Sequence, residues 1–236
     1  MLKEFWDYFS TPSTPKARKE GYLYQSIALS HRARRCEKYW GPHLRHCRQE
    51  IEHRIQDQTG HVGVLGSGLL LETPIDLLEK YFSEVTFIDI VHPKMARLQV
   101  EGKKHIHLLE LDLTEALPEL SFDYVISANL LSQLPLLKCQ KMLKQKISDE
   151  QISQAAFQIQ KKHLDDLKRI TKKGLLFSDF QVRLLNQEGG LDEENLTVDP
   201  RLKIKWEKTW PWDLAPAPEL EKKRSVQLTV GICSLP

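Results

Sequence analysis

Four short segments of this chain carry groups suited to holding a small polar ligand. They are Gly66-Ser67-Gly68, Asp89, Asp112 with Leu113 beside it, and Ser127-Ala128-Asn129. The glycines let backbone approach a ligand closely and adopt positive φ. An ionised carboxylate is a pure acceptor, so Asp89 can take both hydroxyls of a ribose. Asp89 follows Gly66 by 23 residues, close to the roughly 20 expected between a glycine turn and its ribose acid. The turn also limits the ligand. A dinucleotide fingerprint needs a third glycine where this chain has Leu71, and no lysine follows to make a P-loop. What remains is an adenosine-bearing ligand without a pyrophosphate.

The elements that must position these groups are read from hydrophobic periodicity. Apolar runs at 62–65, 85–90, 105–112, 122–131 and 175–180 predict five strands, and each of the four segments falls at or just past the end of one of the first four. Between them, Thr73-Pro74 reads as an N-cap followed by proline at the first helical position. "HPKMARLQV" opens a second proline-led helix. Residues 149–173 form a long amphipathic helix that Gly174 ends. Strands alternating with helices predict an α/β fold with a doubly wound, mostly parallel sheet. Ligands bind such sheets beyond the carboxyl ends of the strands, where strand order reverses. The tail, "RLKIKWEKTWPWDLAP" and "RSVQLTVGIC", reads as two strands joined by a proline-rich loop, which predicts an antiparallel C-terminal edge.

Residues 1–58 differ in texture and are expected to form an N-terminal helical cap on a Rossmann-like domain of residues 59–236. "STPSTPK" (10–16) reads as a linker. The stretch 22–55 reads as two helices split at Gly41-Pro42. Residues 16–57 hold ten Lys/Arg against five Asp/Glu. A cap over the ligand is favoured, with nucleic-acid contact as the alternative.

Across all 236 residues the net charge is only +2, with 41% apolar and 28% charged residues. That balance does not by itself call for a polyanion. No apolar run approaches the length of a membrane span, and the N-terminus lacks a secretory pattern, so a cytoplasmic protein with no membrane partner is expected. The four cysteines form no CxxC pair, and His43, His46 and His53 are joined by no acid in a recognised zinc pattern, so no metal is expected. His163, in the long helix, reads as a surface residue.

On "VGVLGSG", "VTFIDI", "LLELDLTEALP" and "FDYVISANLLSQLP", residues 60–180 resemble the class I S-adenosylmethionine-dependent methyltransferases. The resemblance implies S-adenosylmethionine as cofactor. Gly66, Ser67 and Gly68 would pass its amino-acid portion, Asp89 would hold the ribose, and Asp112 with Leu113 would meet the adenine. Asn129 would line the cofactor, and Gln133 would face the substrate. The family's first motif carries an acid two residues before its first glycine. Here that position is Val64, and Glu72 is the carboxylate available for the methionine ammonium. The fourth motif lacks the Asn/Asp-Pro-Pro-aromatic signature of base-amino methylation, so a small molecule or protein side chain is expected as acceptor, ahead of a DNA base.

Trp210 and Trp212, with Trp206, fall at even offsets and would wall a planar substrate, or would pack beneath the N-terminal helices. No catalytic base is named, because in-line methyl transfer needs chiefly positioning. Two other classes remain: a non-catalytic binding protein on the same fold, favoured by Val64, and an NAD-linked oxidoreductase, disfavoured by the missing glycine. Oligomeric state is not readable.

Overall fold

The computed structural model describes residues 2–115 and 117–235, with side chains from Trp6 onward. Five strands run parallel: β1 (His61–Leu65), β2 (Glu84–Asp89), β3 (Ile106–Glu110), β4 (Tyr124–Ala128) and β5 (Gly174–Leu185). Three more are antiparallel: β6 (Leu191–Leu196), β7 (Lys208–Ala215) and β8 (Ser225–Leu235). The strand order is β3-β2-β1-β4-β5-β8-β7, with β6 paired to β5 off this path. Order therefore reverses between β1 and β4. The expected parallel sheet with an antiparallel C-terminal edge is present.

Alternating side chains feed two cores. Tyr124, Ile126 and Ala128 of β4 face one layer and Val125 faces the other. Leu175 and Phe177 of β5 join the first layer, and Leu176 the second. A sheet covered on both faces needs this continuous apolar patterning. Helix α8 (Asp149–Ile170) covers the second layer with Leu167 and Ile170. Ser148 caps its start, acids fill its first turn and Lys168 and Arg169 its last, as the helix dipole favours. The helix stops at Ile170, four residues short of Gly174. That glycine instead opens β5, where a Cβ would lie 2.4 Å from the Val125 carbonyl. His163 is buried, not on the surface. Its Nε2 meets Ser127 Oγ at 2.8 Å, and burial pushes its imidazole down to about 4.

The first layer is covered by α4 (Glu37–Ile55), α5 (Ile75–Tyr81) and α6 (Lys94–Val100). Trp40, Cys47, Ile51 and Ile55 make α4 a full member of the core. Ahead of it come α1 (Leu2–Ser10), α2 (Pro15–Glu20) and α3 (Tyr22–Arg35). The break between α3 and α4 falls at Cys36, and Pro42 sits inside α4. A proline there removes one backbone bond near the helix start, and burial of Trp40, His43 and Cys47 holds the helix through it. The linker is shorter than expected, because α2 starts at Pro15. Thr14 Oγ1 accepts from the Ala17 amide (3.1 Å), and Pro15 occupies the first helical position. At α5 the N-cap is Pro74 itself, one residue later than expected, and Asp76 is engaged by Arg48 (2.6 and 3.1 Å).

Two further features bear on function. Strand β6 was not signalled, since all six of its residues are exposed and polar or isolated leucines. It extends the second half of β5. Strand β5 pairs with β4 over Gly174–Phe177 and with β6 from Gln181 onward, so Ser178, Asp179 and Phe180 lie in a gap between two neighbours. A register shift against β8 falls at the same place.

Candidate functional site

The four segments singled out above meet at the carboxyl ends of β1–β4, and one cavity of about 600 Å³ runs past them. After β1 the chain turns through Gly66 (φ 75°) and Gly68 (φ 49°). Gly66 donates to the Ile88 carbonyl (2.9 Å), and a Cβ on it would lie 2.7 Å from the Ala128 carbonyl oxygen. Only glycine lets the β1 turn nest against the β4 loop this closely.

Asp89 ends β2 and its carboxylate grips that turn. Oδ2 accepts from the Gly68 amide (2.8 Å) and Oδ1 from the Ile90 amide (2.7 Å). Burial pushes its carboxyl above the ordinary aspartate range, against the pull of the Gly68, Ile90 and Val91 amides. Asp112, two residues past β3, is held differently. Thr114 donates to Oδ1 through both its amide (2.9 Å) and its hydroxyl (2.6 Å), and Lys16 from α2 reaches Oδ2 at 2.7 Å. Burial opposes ionisation of Asp112, yet Lys16 and Thr114 outweigh it and hold the carboxyl below its usual value. Leu113 is buried beside it.

Asn129 follows β4 with φ 45°, a left-handed conformation that asparagine tolerates. Its Nδ2 donates to Glu72 Oε1 (3.4 Å), while its buried Oδ1 has no partner among the described residues. Ser67 Oγ is likewise buried with no partner among the described residues. Val64 is buried in β1, so Glu72 is the acid that reaches this part of the cavity.

Behind Glu72 lies a chain of buried rings. Trp210 Nε1 donates to His43 Nδ1 (3.0 Å). An indole can only donate, so His43 Nδ1 is an acceptor and its proton sits on Nε2. That nitrogen faces Glu72 Oε1 at 3.8 Å. His43 stacks on Trp212 (4.1 Å, 6°), and Trp212 meets Trp40 edge-on (5.0 Å). Burial opposes ionisation of Glu72, but His43, its backbone and Asn129 together keep its carboxyl below the ordinary glutamate value.

The three tryptophans do not form one wall. Trp212 lines the cavity. Trp210 is buried between His43 and His46, beneath α4. Trp206 precedes β7 and stacks on Phe180 in the other core layer. Gln133 lines the cavity from the loop after β4. The cover is the face of α3 bearing Tyr22, Gln25, Leu29 and Arg32, residues three and four apart.

Sequence reading did not single out Asp179, His43 or Arg32 for this site. Asp179 lines the cavity from the gap in β5, with Ser132 Oγ donating to its Oδ1 (2.6 Å). Its signal was an acid inside an otherwise apolar strand. Four carboxyls, from Glu72, Asp89, Asp112 and Asp179, therefore line the cavity against one described cation, Arg32. Part of the basic excess of residues 16–57 is matched by acids. Arg35 pairs with Glu219, Arg48 with Asp76, Arg54 with Glu50 and Glu207, and Lys16 with Asp112 and Glu115.

No family profile matches the sequence. No curated protein matches it. Solved structures do match. The Pyrococcus horikoshii protein PH1948, assigned as an RNA methyltransferase, superposes with a TM-score of 0.50 at 12% identity over 82% of each chain. The complex of DhpI with S-adenosylmethionine gives 0.48 at 13% identity, over 92% of this chain and 99% of that one. The N-methyltransferase NodS from Bradyrhizobium japonicum, bound to S-adenosylhomocysteine, gives 0.47 at 13% over 81% and 86%. At these identities the likeness concerns the fold, and the fold is that of the class I methyltransferases.

Proposed function

We propose that this chain is an S-adenosylmethionine-dependent methyltransferase acting on a small molecule or a protein side chain. One observation carries the reading. Asp112, Asp89, the Gly66–Gly68 turn and Asn129 follow one another across adjacent strand ends, along a single cavity at the switch point. That succession suits adenine, ribose and an amino-acid tail in turn. When bound, S-adenosylmethionine supplies an electrophilic methyl group on a sulfonium.

The residues present fit that group. Asp89 keeps a lone pair on each oxygen for a ribose hydroxyl while the Gly68 and Ile90 amides hold it in place. Asp112 accepts the adenine amine, with Leu113 against the ring. The unpartnered Asn129 Oδ1 and the Glu72 carboxylate meet the methionine ammonium, Glu72 standing where Val64 provides no acid. Buried polar atoms without partners are costly, and a ligand at this position satisfies them. The cavity's excess of carboxyls favours a cationic ligand. Helices α2 and α3 act as the lid, excluding water and fixing the acceptor.

Thermal unfolding with S-adenosylmethionine, S-adenosylhomocysteine and NAD tests this. Either sulfur ligand at a hundredfold excess over its Kd adds about 2.7 kcal/mol of stability, and NAD adds none. Asp89→Ala removes most of the shift. A folded protein that responds to NAD alone, or to none of the three, is not a methyltransferase.

A further inference from the structure

The four cavity carboxyls are not equivalent. Lys16 neutralises Asp112, two backbone amides hold Asp89, and Glu72 has Asn129 and His43. Asp179 has no ion-pair partner at contact distance among the described residues; its side chain receives the neutral Ser132 hydroxyl (2.6 Å), and Thr197, its own backbone and the nearby His43 only partly offset its burial. It is 5% exposed. A carboxylate removed from water without a countercharge is strongly disfavoured, and buried charges in proteins are ordinarily paired. Entry of a cation into the cavity offsets that cost.

The position of Asp179 says which cation. Across the sheet, β5 lies beyond β4 on the side away from β1. Asp179 is two residues past the Ala128–Phe177 pairing, so it stands alongside the β4 loop, one strand further on than Asn129. It is thus past the region assigned to the cofactor's amino-acid tail. The same cavity is also lined by the apolar and aromatic side chains of Trp40, Trp212, Val182, Leu214 and Leu228, of which Val182 lies three residues further along β5 and pairs with Leu228. The Trp212 indole nitrogen is buried and has no partner among the described residues.

We propose that Asp179 forms the acceptor subsite of this cavity and that the acceptor is a small amine on an apolar, aromatic-sized skeleton. The proposal rests on the methyl-transfer reading above. The amine arrives as an ammonium and pairs with Asp179. An ammonium has no lone pair for attack, so one N–H proton passes to the carboxylate. The freed nitrogen pair forms the N–C bond as the methyl's C–S bond breaks, and that bond's electrons leave with sulfur. The product is an N-methylammonium, and Asp179 keeps the proton until the site reopens. Burial pushes the Asp179 carboxyl up, which favours proton uptake, while Ser132, Thr197 and the nearby His43 pull it down. An alcohol gains no ion pair here, and a carboxylate acceptor is repelled.

The test is a calorimetric titration of the full chain, with and without S-adenosylhomocysteine. The probes are 2-phenylethylamine, 2-phenylethanol and phenylacetate, then tryptamine, tryptophol and indole-3-acetate. At least one amine binds about 30-fold or more tightly than its matched alcohol and acid. Asp179→Asn abolishes that preference and leaves the S-adenosylhomocysteine shift in place. The proposal is overturned if no amine binds, if an alcohol or acid binds as well, or if the preference survives Asp179→Asn. Should the variant not fold, the wild-type panel alone decides. Loss of the nucleotide shift with the amine preference intact refutes the methyl-transfer reading and leaves the subsite standing.

Discussion

The two ends of the cavity are built on opposite principles. At the β2–β3 end, every acid is already answered by the protein: Asp89 by backbone amides, Asp112 by Thr114 and Lys16. At the β4–β5 end, Asn129 Oδ1 and the Trp212 nitrogen lack partners among the described residues, and Asp179 has no ion-pair partner among them. A satisfied group is rigid and ready before any ligand arrives. An unsatisfied one raises the free energy of the empty protein, and a ligand lowers it. The first end is a mould and the second is a demand.

Variants can break or sharpen this contrast, and the largest effect is expected at the mould. Gly66→Ala introduces a Cβ at positive φ against the Ala128 carbonyl. It should cost about 3 kcal/mol, read from the midpoint of urea unfolding. An unchanged midpoint would mean that the turn is not locked as described. Next comes the support behind Glu72. His43→Phe keeps a ring on Trp212 but strands the Trp210 nitrogen, for a loss of about 2 kcal/mol. It also removes the proton facing Glu72, so the Glu72 carboxyl titrates higher in carbon-detected NMR. A Glu72 titration that stays put would detach His43 from the site.

Asp179→Asn should act in the opposite direction. It keeps an acceptor for Ser132 and removes an unpaired charge, so the empty protein gains about 1 kcal/mol at neutral pH. Because burial raises the Asp179 carboxyl in the folded state, ionisation weakens the fold above the unfolded pKa, and wild type recovers that loss as pH falls. The gain from the variant should therefore shrink in acid. A variant less stable than wild type at pH 7 would make Asp179 a structural residue. The smallest effect belongs to Lys16→Met. Lys16 is 42% exposed, so its pair with Asp112 contributes below about 1 kcal/mol. Asp112 is depressed in the folded state, so that contribution is complete at neutral pH and fades as pH falls through and below the ordinary aspartate range, about 3.9. Lys16→Met should lower the neutral value by that small amount and leave the value in strong acid unchanged, which flattens the acid limb of the stability profile.

The same contrast governs what could be read from the sequence. The mould was legible because each of its parts ends a strand, and apolar runs closed by glycine or acid mark strand ends locally. Asp89 and Asp112 needed no knowledge of what lies across the sheet. The other end is made by convergence. His43 meets Glu72 only because α4 packs across β7, and periodicity on α4 reports a buried face without saying what it touches. Trp210 and Trp212 share a strand face as expected, yet of the two only Trp212 lines the cavity, while Trp210 packs against His43 and His46 of α4. Strand β6 carried no alternation because neither of its faces is covered. Gly41-Pro42 looked like a helix break by local chemistry, and tertiary burial overrode it. Gly174 looked like a helix stop, and the cause of its presence was the crowded start of β5.

Strand β5 is one continuous segment with two unlike halves. Its first half is bolted between β4 and β8, at the centre of the sheet. Its second half overhangs the parallel strands and carries an exposed hairpin arm, with Asp179 at the junction. A change in the arm can reshape the acceptor wall without passing through the glycine turn or the two acids of the mould. The fixed and the adjustable sides of the cavity thereby meet within a single strand.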